Sequence, residues 1–380
     1  MVHIQRLKLA GFRNYASLSL ELDQRHMVLA GDNGAGKTNL MEALSLLTPG
    51  RGMRRSSYGD MIKAGSNPQT GFSVFANLEG MAGPVDIGTG VEGGEDGGAR
   101  RVRINGAPAR ATDELLEHLR LLWLTPAMDG LFTGPAGDRR RFLDRLVLSV
   151  DPAHGGRALN YERAMRSRNR LLSEGRPDPA WLDGLEVQMT ELGVAMAMAR
   201  NEVVSLLSGL IESQTAQSAF PAATLRLEGF LEDAAHPSAS DMEADFADML
   251  KAGRGRDSAA GRTLSGPHRS DLIVHHRAKA MPAALSSTGE QKALLIGIVL
   301  GHAQLVRGMT GHAPVLLLDE IAAHLDEGRR AALFDLIEAL ECQAFMTGTD
   351  AHMFASLGSR GQILTVADGR VTPQQDATGA

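Results

Sequence analysis

The stretch Gly31-Asp32-Asn33-Gly34-Ala35-Gly36-Lys37-Thr38 decides the fold of this chain. It follows the apolar run Met27–Ala30 and precedes the helix-forming run Thr38–Leu47, so a strand and a helix are predicted on its two sides. Its pattern, G-x-x-x-x-G-K-[ST], is typical of a loop whose backbone N–H groups and helix N-terminus surround phosphate oxygens. Residues 31–39, including Asn39, are therefore predicted to bind the phosphates of a nucleotide.

A second motif supplies the acidic groups that such a loop needs. The apolar run Val315–Leu318 reads as a buried parallel strand and ends in Asp319 and Glu320. The Thr38 hydroxyl and Asp319 are predicted to hold Mg²⁺, and Glu320 to polarise the attacking water. With Lys37 on the β- and γ-phosphates, Lys37 and Glu320 become the predicted catalytic residues of a nucleoside triphosphatase.

A third motif is a small loop of Ser and Gly in front of the apolar helix Lys292–Leu305. The loop contains Ser287 and Gly289, and it resembles the signature loop of the ABC-type ATPases. That resemblance implies that Ser287 and Gly289 cover the γ-phosphate held by a second subunit. Glu290 stands where the signature usually has Gln, which suggests that its carboxylate points away from phosphate. A helix with an ordinary N-cap is the alternative.

The spacing of these motifs predicts a discontinuous domain. Two hundred and fifty residues separate Lys37 from Ser287, and helical periodicity fills Thr112–Leu250. We expect an α/β fold, with an ABC-type P-loop ATPase head formed by residues 1–110 and 262–371. Residues 111–261 are predicted to form an inserted α-helical lobe that ends in a linker at Gly253–Gly261, and residues 372–380 a disordered tail.

A heptad-like stripe marks the longest predicted helix of the lobe. The stripe suggests a helix buried along one seam of a small bundle, or else a protruding coiled-coil hairpin. Its members are Leu185, Met189, Leu192, Met196, Ala199, Val203, Leu206 and Leu210.

Further strings are similar to the DNA-repair branch of the ABC-type ATPases, which is related to the SMC proteins. They include Phe12-Arg13-Asn14-Tyr15, Ser265–Leu272 and Arg139–Asp144, and the likeness covers nearly the whole chain. It implies ATP and Mg²⁺ as cofactors, Asp326 at the nucleotide site, and a homodimer that forms on ATP. It also implies a clamp on DNA at single-strand gaps and single–double-strand junctions. RecR and RecO would be partners in loading RecA for repair, replication restart and SOS induction.

Two departures from that pattern concern the ATPase and the lobe. The segment Phe345–Asp350 contains threonines and lacks the switch histidine of transporter ATPases, which suggests a slow, DNA-stimulated ATPase that uses ATP as a dimerisation switch. Ser270 stands where this branch usually has Asp.

The charge distribution favours contact with DNA although the formal net charge is −6. Residues 139–170 hold nine Arg against three acidic residues, which suits sequence-independent contact with the phosphate backbone. Aromatic residues make up only 4%, too few for a base-stacking platform. A solvated helix face, or Arg side chains paired with acids elsewhere, is the alternative. The candidate DNA contacts are Arg139, Arg140, Arg141, Arg163, Arg166 and Arg170.

Composition excludes several other classes. The single cysteine, Cys342, excludes a disulfide framework and a multi-cysteine zinc site. The N-terminus has no apolar core of a secretion signal, and the run Ala293–Leu300 is too short to span a bilayer. We therefore expect a cytoplasmic protein without a membrane partner. Two other functions stay open: a nucleotide-sensing DNA scaffold with negligible turnover, and an ABC-type ATPase that binds a membrane protein instead of DNA.

Overall fold

The computed structural model describes residues 1–66, 70–93, 98–174, 178–214, 219–233 and 238–373. Its strands in chain order are β1 (His3–Phe12), β2 (Tyr15–Glu21), β3 (His26–Ala30), β4 (Phe72–Gly80), β5 (Gly83–Val91), β6 (Arg100–Ile104), β7 (Ala107–Pro108), β8 (Leu121–Leu124), β9 (Ala223–Glu228), β10 (Asp271–His276), β11 (Met281–Pro282), β12 (Val315–Leu318), β13 (Ala344–Gly348), β14 (Gly361–Ala367) and β15 (Arg370–Pro373). Its helices are α1 (Lys37–Ser45), α2 (Tyr58–Met61), α3 (Ala136–Val150), α4 (Ala153–Ser173), α5 (Pro179–Gln214), α6 (Phe230–Asp233), α7 (Ala239–Ala260), α8 (Thr288–Thr310) and α9 (Glu327–Ala339). The chain divides into one compact unit of Met1–Asp129 and Leu295–Ala380 and a second of Gly130–Leu294.

The first unit contains a mostly parallel sheet in the order β15-β14-β3-β13-β12-β8. The strands from β14 to β8 run parallel, and β15 is antiparallel to β14. Strands β3, β12 and β13 are buried along their whole length, as their mostly apolar sequences predict. Their carboxyl ends lie side by side, which is where parallel sheets place their ligand sites.

An antiparallel sheet in the order β2-β1-β4-β5-β6-β7 completes this unit. Along β1 the side chains alternate, with Leu7 and Leu9 buried and Lys8 exposed, so one face of the sheet meets the core. Leu40 and Leu44 of α1 belong to the same core, together with Leu317 of β12. The helix that follows the phosphate-loop motif is thereby packed inside the unit.

The second unit combines helices with a small sheet in the order β11-β10-β9. Tyr161 of α4, Met189 of α5 and Phe246 of α7 share its apolar core. Arg168 is completely buried in the same unit, where it donates to Glu186 at 2.9 Å, Asp257 at 2.7 Å and the Leu250 carbonyl at 2.8 Å. These partners satisfy a charge that would otherwise be costly to bury.

The second unit covers Gly130–Leu294 in the structure, whereas the sequence predicts an inserted lobe of residues 111–261. Strand β8 pairs with β12 in the parallel sheet, which puts residues 111–129 in the first unit. Strand β10 pairs with β9, which keeps residues 262–294 in the second unit. The inserted lobe is therefore not purely helical. Four consecutive apolar residues, Leu121–Leu124, fit a strand and a helix equally well, so their sequence alone does not identify β8.

Two predicted irregular segments are ordered elements instead. The expected linker Gly253–Gly261 continues helix α7 to Ala260, because Arg254 donates to Glu186 and Asp257 accepts from the Leu264 N–H at 3.1 Å. Thr372 and Pro373 of the predicted disordered tail lie in β15. Residues 374–380 of that tail lie outside the described residues.

The long helix predicted from the heptad-like stripe is α5, and its buried seam differs in part. Met189, Met196 and Val203 of the stripe are buried, whereas Leu206 is 42% exposed and Leu207 is buried in its place. An α-helix has 3.6 residues per turn, so a 3.5-residue stripe moves off the buried face along its length. The seam packs against α4 and α7, as expected for a helix in a small bundle.

Two helices are long and apolar enough to cross a membrane. The sequence-based expectation rested on the run Ala293–Leu300 alone, which is too short to do so. The two helices are Pro179–Ser213 within α5 and Thr288–Thr310, and 44% and 67% of their apolar windows are buried inside the protein. A core helix of a globular protein meets the same criteria.

Candidate nucleotide-binding site

The loop between β3 and α1 has the backbone that its glycines predict. Gly36 has φ 114°, and a Cβ there would lie 2.4 Å from Asn14 Nδ2 and 2.9 Å from the Tyr15 hydroxyl. Gly31 has φ 153°, and a Cβ there would lie 2.2 Å from the Val366 carbonyl oxygen. A side chain would clash with the buried Tyr15 hydroxyl at position 36 and with a backbone carbonyl at position 31, and both φ values favour glycine, so glycine is required at both.

The turn between β1 and β2 supports this loop. Tyr15 donates its hydroxyl hydrogen to the Gly36 carbonyl at 3.1 Å, and Asn14 donates to the Ala35 carbonyl at 3.3 Å. Asn39 in turn donates to Asn14 Oδ1 at 2.8 Å. The string Phe12–Tyr15 therefore has a structural role at the loop.

A buried ion pair fixes α1 from the same turn. Arg13 donates to both carboxylate oxygens of Glu42, at 2.8 and 2.9 Å, and Glu42 is fully buried. Ser56 and Arg54 also donate to Glu42, at 3.3 and 3.4 Å. This network compensates the buried charge and sets the orientation of the helix.

Lys37 is buried beside the loop. Its ammonium donates to the carbonyls of Gly31 at 2.6 Å and Asp32 at 2.8 Å. Burial lowers the Lys37 pKa, while Glu320, Asp319 and Asp32 act in the opposite direction. A cation held among carbonyls and carboxylates at a helix N-terminus is suited to hold a phosphate.

The two motifs predicted to hold Mg²⁺ meet at a single carboxylate oxygen. Thr38 Oγ1 donates to Asp319 Oδ1 at 3.2 Å, and Thr347 Oγ1 donates to the same oxygen at 2.7 Å. Thr347 Oγ1 also accepts the Glu320 N–H at 2.8 Å. Burial raises the Asp319 pKa, and the two hydroxyl donors oppose that rise. Sequence reasoning missed this role of Thr347, because the contact depends on β13 lying next to β12 in the sheet.

Glu320 has an unusual backbone conformation. Its φ and ψ are 52° and 32°, in the left-handed region that only glycine adopts without strain. A side chain in this region costs about 1–2 kcal/mol, and six other non-glycine residues that the structure describes, including Arg13 and Ala280, also have a positive φ. The turn directs the chain from β12 away from the sheet immediately after Asp319.

The donor set fits magnesium. The Asp319 carboxylate and the Thr38 hydroxyl are hard oxygen ligands, and Mg²⁺ commonly takes one or two carboxylates together with substrate phosphates and water. A buried carboxylate with a raised pKa is also a group that a cation would favour in its charged form. Across the described residues, no cluster of three or more His, Cys, Asp or Glu suits a metal ion.

The predicted signature loop has its own hydrogen-bond network, within the second unit. The Ser287 N–H and hydroxyl both donate to Glu290 Oε2 at 3.1 Å, and Lys279 donates to Glu290 Oε1 at 2.5 Å. Lys279 and Ser287 together lower the Glu290 pKa to about 2. Glu290 thus faces Ser287 and forms a capping box at the start of α8, so the plain helix cap and the signature motif coexist. Gly289 lies in the first turn of the helix.

Asp326 caps a helix. Its Oδ1 accepts the Arg329 N–H at 2.8 Å at the N-terminus of α9, and its side chain is exposed. Its predicted nucleotide contact stays a prediction.

The candidate DNA contacts separate into two groups. Arg139 is 14% exposed and binds both oxygens of Asp271, at 2.8 and 2.7 Å. Arg140 donates to the Ser270 carbonyl at 2.7 Å, and Arg141 forms an ion pair with Asp138. Arg139 is thus paired with an acidic residue far away in sequence, as the alternative of Arg side chains paired with acids elsewhere expects, and its predicted DNA contact stays a prediction.

Arg163, Arg166 and Arg170 form the second group, on one exposed face of α4. Their spacing of three and four residues places them on the same side of the helix. Arg166 lies 3.5 Å from Glu162 and Arg170 lies 4.0 Å from Glu174, which are long surface contacts. These three Arg side chains, called here the α4 arginine face, are available to an external anion.

Comparison with known proteins gives consistent results. Residues 3–372 match the family model described as the RecF/RecN/SMC N-terminal domain. The chain is 65% identical to the DNA replication and repair protein RecF of Rhizobium leguminosarum bv. trifolii, over 97% of this chain and 98% of that one. It is 63% identical to the protein of the same name from Rhizobium meliloti, over 98% and 99% of the two chains.

Solved structures are similar in fold. A structure of the recombination mediator protein RecF with ATP, from the RecFOR pathway, has a TM-score of 0.86 at 22% identity and covers 98% of both chains. An Smc head domain from Pyrococcus furiosus has a TM-score of 0.55 at 18% identity, covering 98% of this chain and 96% of that one. The predicted ABC-type ATPase fold is confirmed by these likenesses.

Proposed function

Because this chain belongs to the RecF family within the RecF/RecN/SMC group, we propose that it is an ATP-dependent, DNA-binding recombination mediator. The observation that carries the proposal is the shared hydrogen-bond network of Thr38, Asp319 and Thr347 beside the buried Lys37. Residues from three separate parts of the sequence converge there on the chemistry of a nucleotide–magnesium site.

In this proposal, residues 31–39 hold the phosphates of ATP. Lys37 supplies the cation for the β- and γ-phosphates, and Thr38 and Asp319 hold Mg²⁺. The metal, when bound, neutralises phosphate charge. Glu320 accepts the proton of the attacking water, and the strained turn at Glu320 holds its backbone N–H on Thr347.

Two copies associate through the nucleotide. Ser287 and Gly289 of one copy cover the γ-phosphate bound by the other, so that ATP holds a two-fold dimer together. Ser287 is exposed at the start of α8, as this role requires. Slow hydrolysis then releases the dimer, which makes the ATPase an off-switch.

The DNA contact is assigned to the α4 arginine face. Its side chains can clamp phosphates without reading base sequence. The dimer would act in the cytoplasm at single-strand gaps and junctions. The RecFOR pathway named for the similar RecF structure supports RecO and RecR as partners, with RecA loading as the outcome.

The decisive experiment measures dimerisation and DNA binding together. Sedimentation of the unsubstituted chain should show a dimer with ATP and Mg²⁺ and a monomer without them, and Lys37→Arg should stay monomeric. Binding to gapped and to blunt duplex, titrated against salt, should favour the gapped DNA and weaken steeply with salt. A chain that stays monomeric with ATP and DNA would overturn the proposal.

A second candidate is a nucleotide-sensing scaffold with negligible turnover. It is favoured by Thr347, whose hydroxyl is fully engaged and has no acid–base capacity at neutral pH. Single-turnover hydrolysis by Glu320→Gln separates the two candidates. A rate that falls at least about a hundredfold identifies Glu320 as the base, given that general bases contribute about 10²–10⁴; an unchanged, very slow rate supports the scaffold.

A further inference from the structure

The carboxylate of Glu290 occupies an unfavourable place for a loop that approaches phosphate. Its Oε2 accepts from both the N–H and the hydroxyl of Ser287, at 3.1 Å each. These donors are the ones that the proposed function assigns to the γ-phosphate of the second copy. A carboxylate within hydrogen-bond distance of Ser287 would repel that phosphate and compete for its donors.

Protonation does not solve this conflict. The Glu290 pKa is lowered to about 2 by Lys279 and Ser287, so the group is a carboxylate at neutral pH. Neutralisation has to come from a neighbouring cation. The cation that the structure provides is Lys279, whose Nζ lies 2.5 Å from Glu290 Oε1.

The turn between β10 and β11 presents this lysine. Residues Arg277–Lys279 form a single helical turn that ends at Ala280, whose φ of 47° reverses the chain into β11. The side chains of Lys279 and Glu290 are 46% and 27% exposed, so the pair lies at the surface where a second copy would approach. Arg277 of the same turn points to a different partner, Glu212, at 2.5 Å.

We propose that Lys279 is a positioning residue for the nucleotide-dependent dimer: it neutralises and holds Glu290, which lets Ser287 give its donors to the phosphate of the second copy. The inference rests on the proposed function and deepens it. In the absence of the second copy, Glu290 satisfies the Ser287 donors; on dimerisation, Lys279 keeps the released carboxylate paired. On dimerisation, the N–H and hydroxyl of Ser287 thus change their acceptor from the Glu290 carboxylate to the phosphate of the second copy.

The test compares ATP-dependent dimerisation constants by sedimentation. Lys279→Met should weaken the ATP dimer about tenfold or more, since an unpaired carboxylate then faces phosphate at short range. Lys279→Arg should retain the dimer, and Lys279→Met combined with Glu290→Gln should regain it, because the repelling charge is gone. Arg277→Met is the matched control, since it removes a cation from the same turn and leaves the Lys279–Glu290 pair intact.

Two further measurements separate this role from a structural one. Thermal unfolding of Lys279→Met and binding of a fluorescent ATP analogue to its monomer should both match the unsubstituted chain. The inference is overturned if Lys279→Met dimerises normally, if the double variant is as weak as Lys279→Met, or if Arg277→Met is equally weak. Failure of the unsubstituted chain to dimerise on ATP would overturn the proposed function as well as this inference.

Discussion

Thr347 Oγ1 lies 2.7 Å from Asp319 Oδ1 and ties the end of β13 to the end of β12. The same hydroxyl accepts the N–H of Glu320, so a single buried side chain fixes both acidic residues of the site. Thr347 is fully buried, so bulk solvent does not reach these hydrogen bonds.

We expect Thr347→Val to damage both stability and nucleotide binding. The substitution keeps the shape but leaves the Glu320 N–H without its acceptor, at a cost of about 1–3 kcal/mol in the free energy of unfolding. The substitution also removes a hydrogen-bond donor that lowers the Asp319 pKa. The Asp319 carboxyl group is then less readily ionised and holds Mg²⁺ less well, so the Mg²⁺-dependent affinity for ATP should fall. Urea unfolding and nucleotide titration measure the two effects. Thr349→Val, at an exposed position just beyond β13, is the control, and equal behaviour of the two variants would contradict the assignment.

A pair of glycines in α5 tests the packing of the second unit. A Cβ at Gly193 would lie 2.6 Å from Phe246 and 3.2 Å from Tyr161, whose rings are buried and cannot move freely. Gly193→Ala should therefore destabilise the protein by about 1–3 kcal/mol in urea unfolding. Gly184→Ala, at an exposed position of the same helix with open space around it, should stabilise it by up to about 1 kcal/mol. Shifts of the same sign would show that α5 packs differently.

His268 should make stability depend on pH. Its Nε2 lies 3.0 Å from the Thr263 carbonyl oxygen and must donate, so its Nδ1 accepts from the Tyr161 hydroxyl at 3.0 Å. Burial lowers the His268 pKa below its usual value of about 6.5. The unfolded chain therefore takes up the proton first, and the stability from neutral His268 is complete above about pH 6.5 and lost as the pH falls through the lowered folded value.

Urea unfolding between neutral pH and pH 5 measures this effect. His268→Gln should lower stability at neutral pH and flatten the decline towards acid. His352→Gln, at an exposed position, should leave the pH profile unchanged. An equally steep profile in His268→Gln would assign the decline to other groups.

The α4 arginine face should account for a defined part of the salt dependence of DNA binding. Replacing Arg163, Arg166 and Arg170 by Gln should weaken binding to all sequences alike. The slope of log K against log salt should fall by about 2–3, near 0.9 for each lost contact with duplex phosphate. Because these side chains are exposed, the free energy of unfolding should change little.

Arg139→Gln is the contrasting variant. It breaks the paired contact with Asp271 and should destabilise the protein, without a comparable loss of the salt slope. If Arg139→Gln reduces the slope of log K against log salt, or if the triple variant leaves that slope unchanged, the DNA contact lies on α3 and not on the α4 arginine face.

The nucleotide site was predictable because its signals are local. The glycines, Lys37 and Thr38 lie within eight consecutive residues, and Asp319 follows an apolar strand directly. The partners that complete the site are distant in sequence. Thr347 reaches Asp319 only through the order of strands in the sheet, and Arg13 reaches Glu42 only through the packing of α1.

The same limit explains the errors elsewhere in the chain. A count of charges along the sequence contains no information on Asp271, which neutralises Arg139 from 132 residues away. Strand β8 is four apolar residues long, and only its pairing with β12 in the sheet identifies it as a strand. For α5 the helix was predictable from periodicity, but the choice between Leu206 and Leu207 depends on the exact helical twist.

The position of β3 has a consequence for the synthesis of the protein. Both neighbours of this wholly buried strand, β13 and β14, come from the last part of the chain. At about 5–20 residues per second, the ribosome delivers β13 no sooner than about 15 s after β3 has been made. During that interval β3 lacks both of its neighbouring strands, so its apolar side chains stay exposed in the nascent chain. Production of the folded protein should therefore depend on chaperones that protect emerging chains, and fragments that stop before Ala344 should aggregate.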